Sequence, residues 1–167
     1  TLTDESLRGF DSNFKMSPPL RTAKDVEGIL TGLADGTIDC IATDHAPHAP
    51  EKKLLELDRA PFGILGLETA VGLSVTRLIE TGRIDWPRFV EAISLLPSRI
   101  LGINRGTLRP GAIADVTIID PSREWQVDVN SFSSKSVNSP FHGWTLRGQA
   151  VATIVHGKVK YRLSSWL

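Results

Sequence analysis

Residues 37–48, TIDCIATDHAPH, set a short apolar run against one carboxylate and two imidazoles. The run is bounded by Gly36 and by the polar cluster, and its length and apolar content predict a strand buried on both faces, as in a parallel sheet. Asp44 then falls at the carboxyl end of that strand, where parallel α/β barrels and open sheets place their chemistry. Just upstream, Thr22 and Asp25 have capping-box spacing, Val26, Ile29, Leu30 and Leu33 share one helical face, and Gly36 is a stop signal. Helix followed by buried strand is the rhythm of an α/β fold.

Downstream, residues 45–61 form a long charged loop with three prolines, and loops of that length at strand ends are more often functional than idle. Within it, Lys52 and Lys53 read as a solvated charge pair. Residues 64–79 carry a helical pattern in which Gly66 and Gly72 permit close approach of a neighbour. Asp85 is the expected N-cap of a further helix, with Pro87 in its first turn, Phe89, Val90 and Ile93 as its apolar stripe, and an end or bend at Pro97. Past Gly106 the signals are those of strands: the β-branched run 116–119, the alternating EWQVDV of 124–129, and AVATIVHGKVKYR of 150–162, read as two strands joined through His156-Gly157. A second strand of the first half is expected near Phe14 to Ser17. The expected division is α/β over 1–104 and β over 105–167, neither half complete by itself. The chain also opens on Thr1 rather than Met, and the expectation is a portion of a longer protein.

Nineteen basic and nineteen acidic residues cancel, which argues against a nucleic-acid or anionic-membrane partner and favours a small ligand. With one cysteine, Cys40, no intrachain disulfide can form. No apolar run has the length of a membrane span and no leader pattern stands at the start, so a cytoplasmic protein is expected.

Asp44 is the principal candidate for chemistry, because a carboxylate there can bind a divalent metal and accept a proton from an attacking water. Its alternative reading is an Asx turn that caps the following loop. His45 and His48 are three apart, but Pro47 between them opposes a helical two-histidine site, and each reads more readily as a hydrogen-bonding loop residue than as a ligand. His142 and His156 lack acidic or thiol neighbours at ligand spacing. Ser17 and Ser98 lack a histidine and acid pairing for nucleophilic catalysis.

The stretches NFKMSPPLR (13–21), IATDHAPH (41–48), APFGILGLETA (60–70), GTLRPGAIADVTIID (106–120) and SKSVNSPFHGWTLRGQAVATIVHGKVKY (134–161) resemble, in order and spacing, dihydroorotases of the long type within the amidohydrolase superfamily. The resemblance implies the carboxyl-terminal part of a (β/α)8 amidohydrolase barrel followed by strands of a small β-sandwich. It implies zinc-dependent, reversible hydrolysis of L-dihydroorotate to N-carbamoyl-L-aspartate in pyrimidine synthesis, with one or two zinc ions whose other ligands lie upstream of this chain. Asp44 would bind zinc and shuttle the proton, His48 would contact the substrate carboxylate, and Phe62 and Gly63 would present backbone groups to the ring. Ser17 stands where that family usually has Asn, and a hydroxyl offers one donor and a shorter reach. The expected partners are the substrate, the amino-terminal portion, further copies in a homo-oligomer, and aspartate transcarbamoylase. A non-catalytic dihydroorotase-like partner of that transcarbamoylase, or a hydantoinase- or allantoinase-type hydrolase, are the alternatives.

Overall fold

The computed structural model describes residues 1–165. Short 3-10 turns at Asp4–Gly9 and Ser12–Phe14 precede the long helix α1, Ala23–Asp35. The capping box forms as its sequence demands: Thr22 accepts from the Asp25 N–H, Asp25 accepts from the Thr22 N–H, and Gly36 ends the helix in the left-handed conformation at φ 85°. A single turn, α2, Pro50–Lys53, interrupts the charged loop.

Helix α3, Ala70–Ser74, runs on through a wider π turn at Val75–Ile79. Helix α4, Trp86–Val90, is capped by the Asp85 side chain, which accepts from the Arg88 N–H at 2.9 Å. A second π turn, Glu91–Leu95, carries the chain into α5, Leu96–Ile100. The helical path therefore continues past Pro97: the π turn ahead of it relieves the i→i−4 ladder at the position where proline has no N–H to give.

Three antiparallel strands follow in the order β1 (Val116–Gln126), β2 (Thr145–Val155), β3 (Lys158–Arg162). The two expected segments of the first strand are one strand with a register break between Asp120 and Glu124, where Pro121 cannot donate and Asp120 accepts instead from the Ser122 and Arg123 N–H groups at 3.0 and 3.2 Å. The β2–β3 hairpin turns at His156 and Gly157 with φ 50° and 73°, the paired positive angles a two-residue loop requires. The last two residues of the expected 105–167 segment lie outside the described residues.

Three expectations fail in whole or in part. Residues 37–43 form no strand and are only partly buried, and residues 14–17 form no second strand. A parallel strand exists only through its neighbours, and among the described residues the sole parallel link is the His45–Ile64 bridge, held by Ala46 N–H to Ile64 O at 3.1 Å. The helix expected from residue 64 starts instead at Ala70, because Ile64 and Leu65 leave the helical path to pair with Ala46 and with Asn138.

Apolar packing forms two centres. Leu33, Ile84, Phe89 and Ala92 gather α1 and α4, while Ile64, Val127, Phe141 and Leu146 join the loop at 64 to the sheet. Gly72 and Gly148 let α3 and its π turn lie on β2: a Cβ on Gly148 would stand 2.5 Å from Val75 Cγ2, and one on Gly72 3.0 Å from Leu146 and Trp125. This packing fixes the sheet against the segment that carries Ile64, and thereby against the loop that follows Asp44.

Candidate functional site

The turn after residue 43 is built by backbone approach. A Cβ on Gly66 would stand 2.6 Å from the Thr43 carbonyl, so only glycine lets the two segments meet. Asp44 takes the left-handed conformation at φ 44°, which Asp and Asn adopt more readily than other residues with a Cβ. Its carboxylate is exposed and accepts no hydrogen bond among the described residues, so the Asx-turn reading does not hold.

His45 has a role the sequence did not disclose. Its Nδ1 accepts from the Gly66 and Leu67 N–H groups at 3.2 and 3.3 Å, which places the proton of the neutral ring on Nε2 and leaves no lone pair for a metal. His45 is a clamp across the base of the loop. His48 lies against the other end: its Nε2 is 2.7 Å from Phe62 O, and since a carbonyl only accepts, Nε2 carries the hydrogen. The ring's Nδ1 makes no hydrogen bond among the described residues.

Gly63 is the most constrained of the expected site residues. At φ 133° it occupies backbone space reserved for glycine, and a Cβ there would stand 2.5 Å from Ala46 Cβ and 2.9 Å from His48 Nε2. Its N–H donates to Lys15 O at 2.9 Å, and its carbonyl accepts from Lys53 Nζ and Asn138 Nδ2, each at 3.2 Å. Gly63 thus sets the path of the backbone, and the Phe62 N–H has no partner among the described residues. The Phe62 ring is 55% exposed beneath the Lys15 ammonium, 4.5 Å from its centroid. Ser17 is exposed, two residues beyond the Lys15 carbonyl that holds Gly63, and its hydroxyl has no partner among the described residues.

Lys53 is no solvated charge. It is 7% exposed, and its Nζ donates to the carbonyls of Ser12, Pro61 and Gly63 at 2.6, 3.1 and 3.2 Å. Burial, the largest influence, lowers its pKa, the Asp11 carboxylate opposes that shift and the Lys15 ammonium adds to it. The unfolded chain therefore holds this proton more tightly than the folded one, and stability rises with pH between the folded value and the ordinary 10.5. The melting temperature of the unsubstituted chain minus that of Lys53→Met is expected to grow as pH climbs through that window; a difference independent of pH would refute the reading.

Asp44 and His48, Phe62 and Gly63, and Ser17 thus lie on three neighbouring segments, with direct contacts among His48, Phe62 and Gly63. A hard carboxylate oxygen without a protein partner suits a divalent metal as one ligand. Among the described residues no three His, Cys, Asp or Glu side chains are grouped to hold an ion, so Asp44 is a fitting donor in a set this chain does not fill.

A model described as the amidohydrolase family matches residues 11–160. The dihydroorotase of Citrifermentans bemidjiense is 56% identical over 162 residues, covering 97% of this chain and 38% of that protein. That of Pelotomaculum thermopropionicum is 55% identical over 159 residues, covering 95% and 37%. The structure of L-hydantoinase (dihydropyrimidinase) from Arthrobacter aurescens superposes with a TM-score of 0.91 at 30% identity, covering 99% of this chain and 38% of that one. The chain therefore spans under two-fifths of the length of the curated relatives it matches and carries the mixed helix and sheet of the corresponding part of their superfamily fold. With nearly its whole length matched by one family model, the chain belongs to the amidohydrolase family.

Proposed function

We propose that this chain is the carboxyl-terminal portion of a metal-dependent dihydroorotase that hydrolyses L-dihydroorotate reversibly to N-carbamoyl-L-aspartate in pyrimidine synthesis in the cytoplasm. The observation that carries the reading is the identity of 56% to a dihydroorotase over 162 residues, against 30% to the L-hydantoinase from Arthrobacter aurescens. Residues 1–104 would then be the last β/α units of the barrel and residues 105–167 part of a β-sandwich. An open apolar groove of about 910 Å³, lined by Ile29, Leu33, Ile41, Ile64 and Leu73 among others, offers the surface on which the remaining barrel strands would lie.

Zinc, one ion or two, would polarise the ring amide and acidify a water toward neutrality. Asp44 would hold the metal with one carboxylate oxygen, take the proton of the attacking water and pass it to the departing amide nitrogen. Its exposure and lack of a hydrogen-bond partner leave both oxygens available for these tasks. Carrying a second proton on Nδ1, with Nε2–H kept on the Phe62 carbonyl, His48 would donate to the substrate carboxylate, and the Phe62 N–H would meet the ring at the position Gly63 fixes. Ser17 would offer one hydroxyl to the substrate. The other metal ligands would come from the upstream portion. The partnership extends, in this reading, to a homo-oligomer and to aspartate transcarbamoylase, and the exposed Ile100, Leu101, Ile103 and Leu108 are a surface that such contacts would cover. Among the described residues no helix is long and apolar enough to cross a membrane.

The hydantoinase likeness supports a second reading, hydrolysis of another cyclic amide. The two part on substrate preference. The complete enzyme, this chain joined to its upstream portion, is expected to turn over dihydroorotate with kcat/KM at least about a hundredfold above that for hydantoin or allantoin, because the two lack the ring carboxylate that His48 would meet. The reverse preference would replace the first reading by the second, and no zinc-dependent turnover of any of the three would favour the non-catalytic partner.

A further inference from the structure

Asn138 lies in the polar connection between β1 and β2, 90 residues along the chain from His48, and is 3% exposed. Its side-chain amide is satisfied in both senses. Nδ2 donates to the carbonyls of Ala46 and Gly63 at 2.9 and 3.2 Å, while Oδ1 accepts from the His48 N–H at 3.0 Å and from the Ser136 hydroxyl at 2.5 Å. Two carbonyls facing one end and a backbone N–H facing the other fix which end is nitrogen. The Asn138 carbonyl also accepts from the Leu65 N–H at 3.0 Å. Ser136, 5% exposed, has one hydroxyl hydrogen, which the His48 carbonyl and Asn138 Oδ1 share.

One buried amide thus grips both ends of the loop that begins at Asp44, at 46–48 on one side and at 63–65 on the other. His48 and Phe62 depend on that grip. The His48 ring reaches the Phe62 carbonyl, so any change in the spacing of the two backbones separates them. Asp44, by contrast, makes no hydrogen bond to this network.

We propose that Asn138 is a positioning residue for substrate binding: it sets His48 and Phe62–Gly63 in register and so governs affinity for the anionic ring, without a share in proton transfer. The positioning stands on the geometry, and the identity of the ligand rests on the dihydroorotase reading.

The test uses the complete enzyme. Asn138→Ala is expected to raise KM for dihydroorotate by about ten- to a hundredfold while changing kcat less than about threefold, the pattern of lost binding rather than lost chemistry. The isosteric Asn138→Asp keeps the acceptor for His48 and removes the donors to Ala46 and Gly63, and gives the same pattern if the alanine variant does not fold. In a His48→Ala background, Asn138→Ala is expected to raise KM by several-fold less than it does with His48 present, since only the Phe62–Gly63 backbone is left for it to position. Multiplicative effects of the two substitutions, or a fall in kcat with KM unchanged, overturn the proposal. Nitrogen NMR of labelled histidine supplies a readout without turnover: the His48 Nε2–H signal is expected to shift or vanish in Asn138→Asp, and an unmoved signal also overturns the positioning. Failure of the unsubstituted enzyme to turn over dihydroorotate would overturn the functional reading alone.

Discussion

Asp44→Asn in the complete enzyme is expected to lower kcat/KM for dihydroorotate by about three orders of magnitude or more, while the melting temperature of the zinc-free variant stays within a degree or so of that of the zinc-free unsubstituted protein. The size follows from the two tasks removed together, proton transfer and one metal contact. The unchanged stability follows from the environment. Asp44 is exposed and holds no hydrogen bond among the described residues, and Asn is as well suited as Asp to a φ of 44°. Alanine at this position would confuse the two effects by adding backbone strain. Steady-state kinetics and zinc content on one preparation, and a thermal melt after chelation, check the result, and retention of activity within about tenfold would remove Asp44 from the chemistry.

Gly63→Ala is expected to be the most damaging single methyl group in the site. A Cβ would stand 2.5 Å from Ala46 Cβ and 2.9 Å from His48 Nε2, at a φ of 133° that residues with a Cβ rarely adopt. Relief requires Gly63 to move, which breaks its bonds to Lys15, Lys53 and Asn138 together. Strain and overpacking place the loss at about 2–5 kcal/mol, with KM raised at least about tenfold because His48 is displaced. Gly82→Ala is the control. Gly82 also has positive φ, 68°, but nothing lies within 4 Å of its missing Cβ, so only the backbone cost of about 1–2 kcal/mol remains. Equal losses of stability in the two variants would show that the crowding around Gly63 has no consequence.

What the sequence discloses here divides by the range of the interactions. Thr22 with Asp25, Asp85 with Arg88, and the His156-Gly157 turn are local contacts, closed within four residues, and each forms as its pattern predicts. Gly66 and Gly72 are likewise legible as places of close approach, although the partners, Thr43 for one and Leu146 with Trp125 for the other, are not. Residues 37–43 have the composition of a buried strand, but strand pairing is made by neighbours elsewhere in a chain, and composition cannot supply them. His45, Lys53 and Asn138 show the same limit more sharply. A histidine beside a candidate metal-binding carboxylate reads as a hydrogen-bonding loop residue, and it is one, but the N–H groups it clamps lie 21 and 22 residues away. A lysine in a charged loop looks solvated and is buried on three carbonyls. An asparagine in a polar connection carries no signal at all, because the groups it joins lie 75 to 92 residues away.

The central claim is that Asp44 faces metal while His48 faces substrate, two tasks divided between residues four apart. A crystal structure of the complete enzyme with zinc and N-carbamoyl-L-aspartate tests it most directly. Expected are a carboxylate oxygen of Asp44 at about 2.0–2.2 Å from zinc, His45 still bound to the Gly66 and Leu67 N–H groups, and His48 within hydrogen-bond reach of a ligand carboxylate. Zinc held without Asp44, or by His45 in its place, would contradict it.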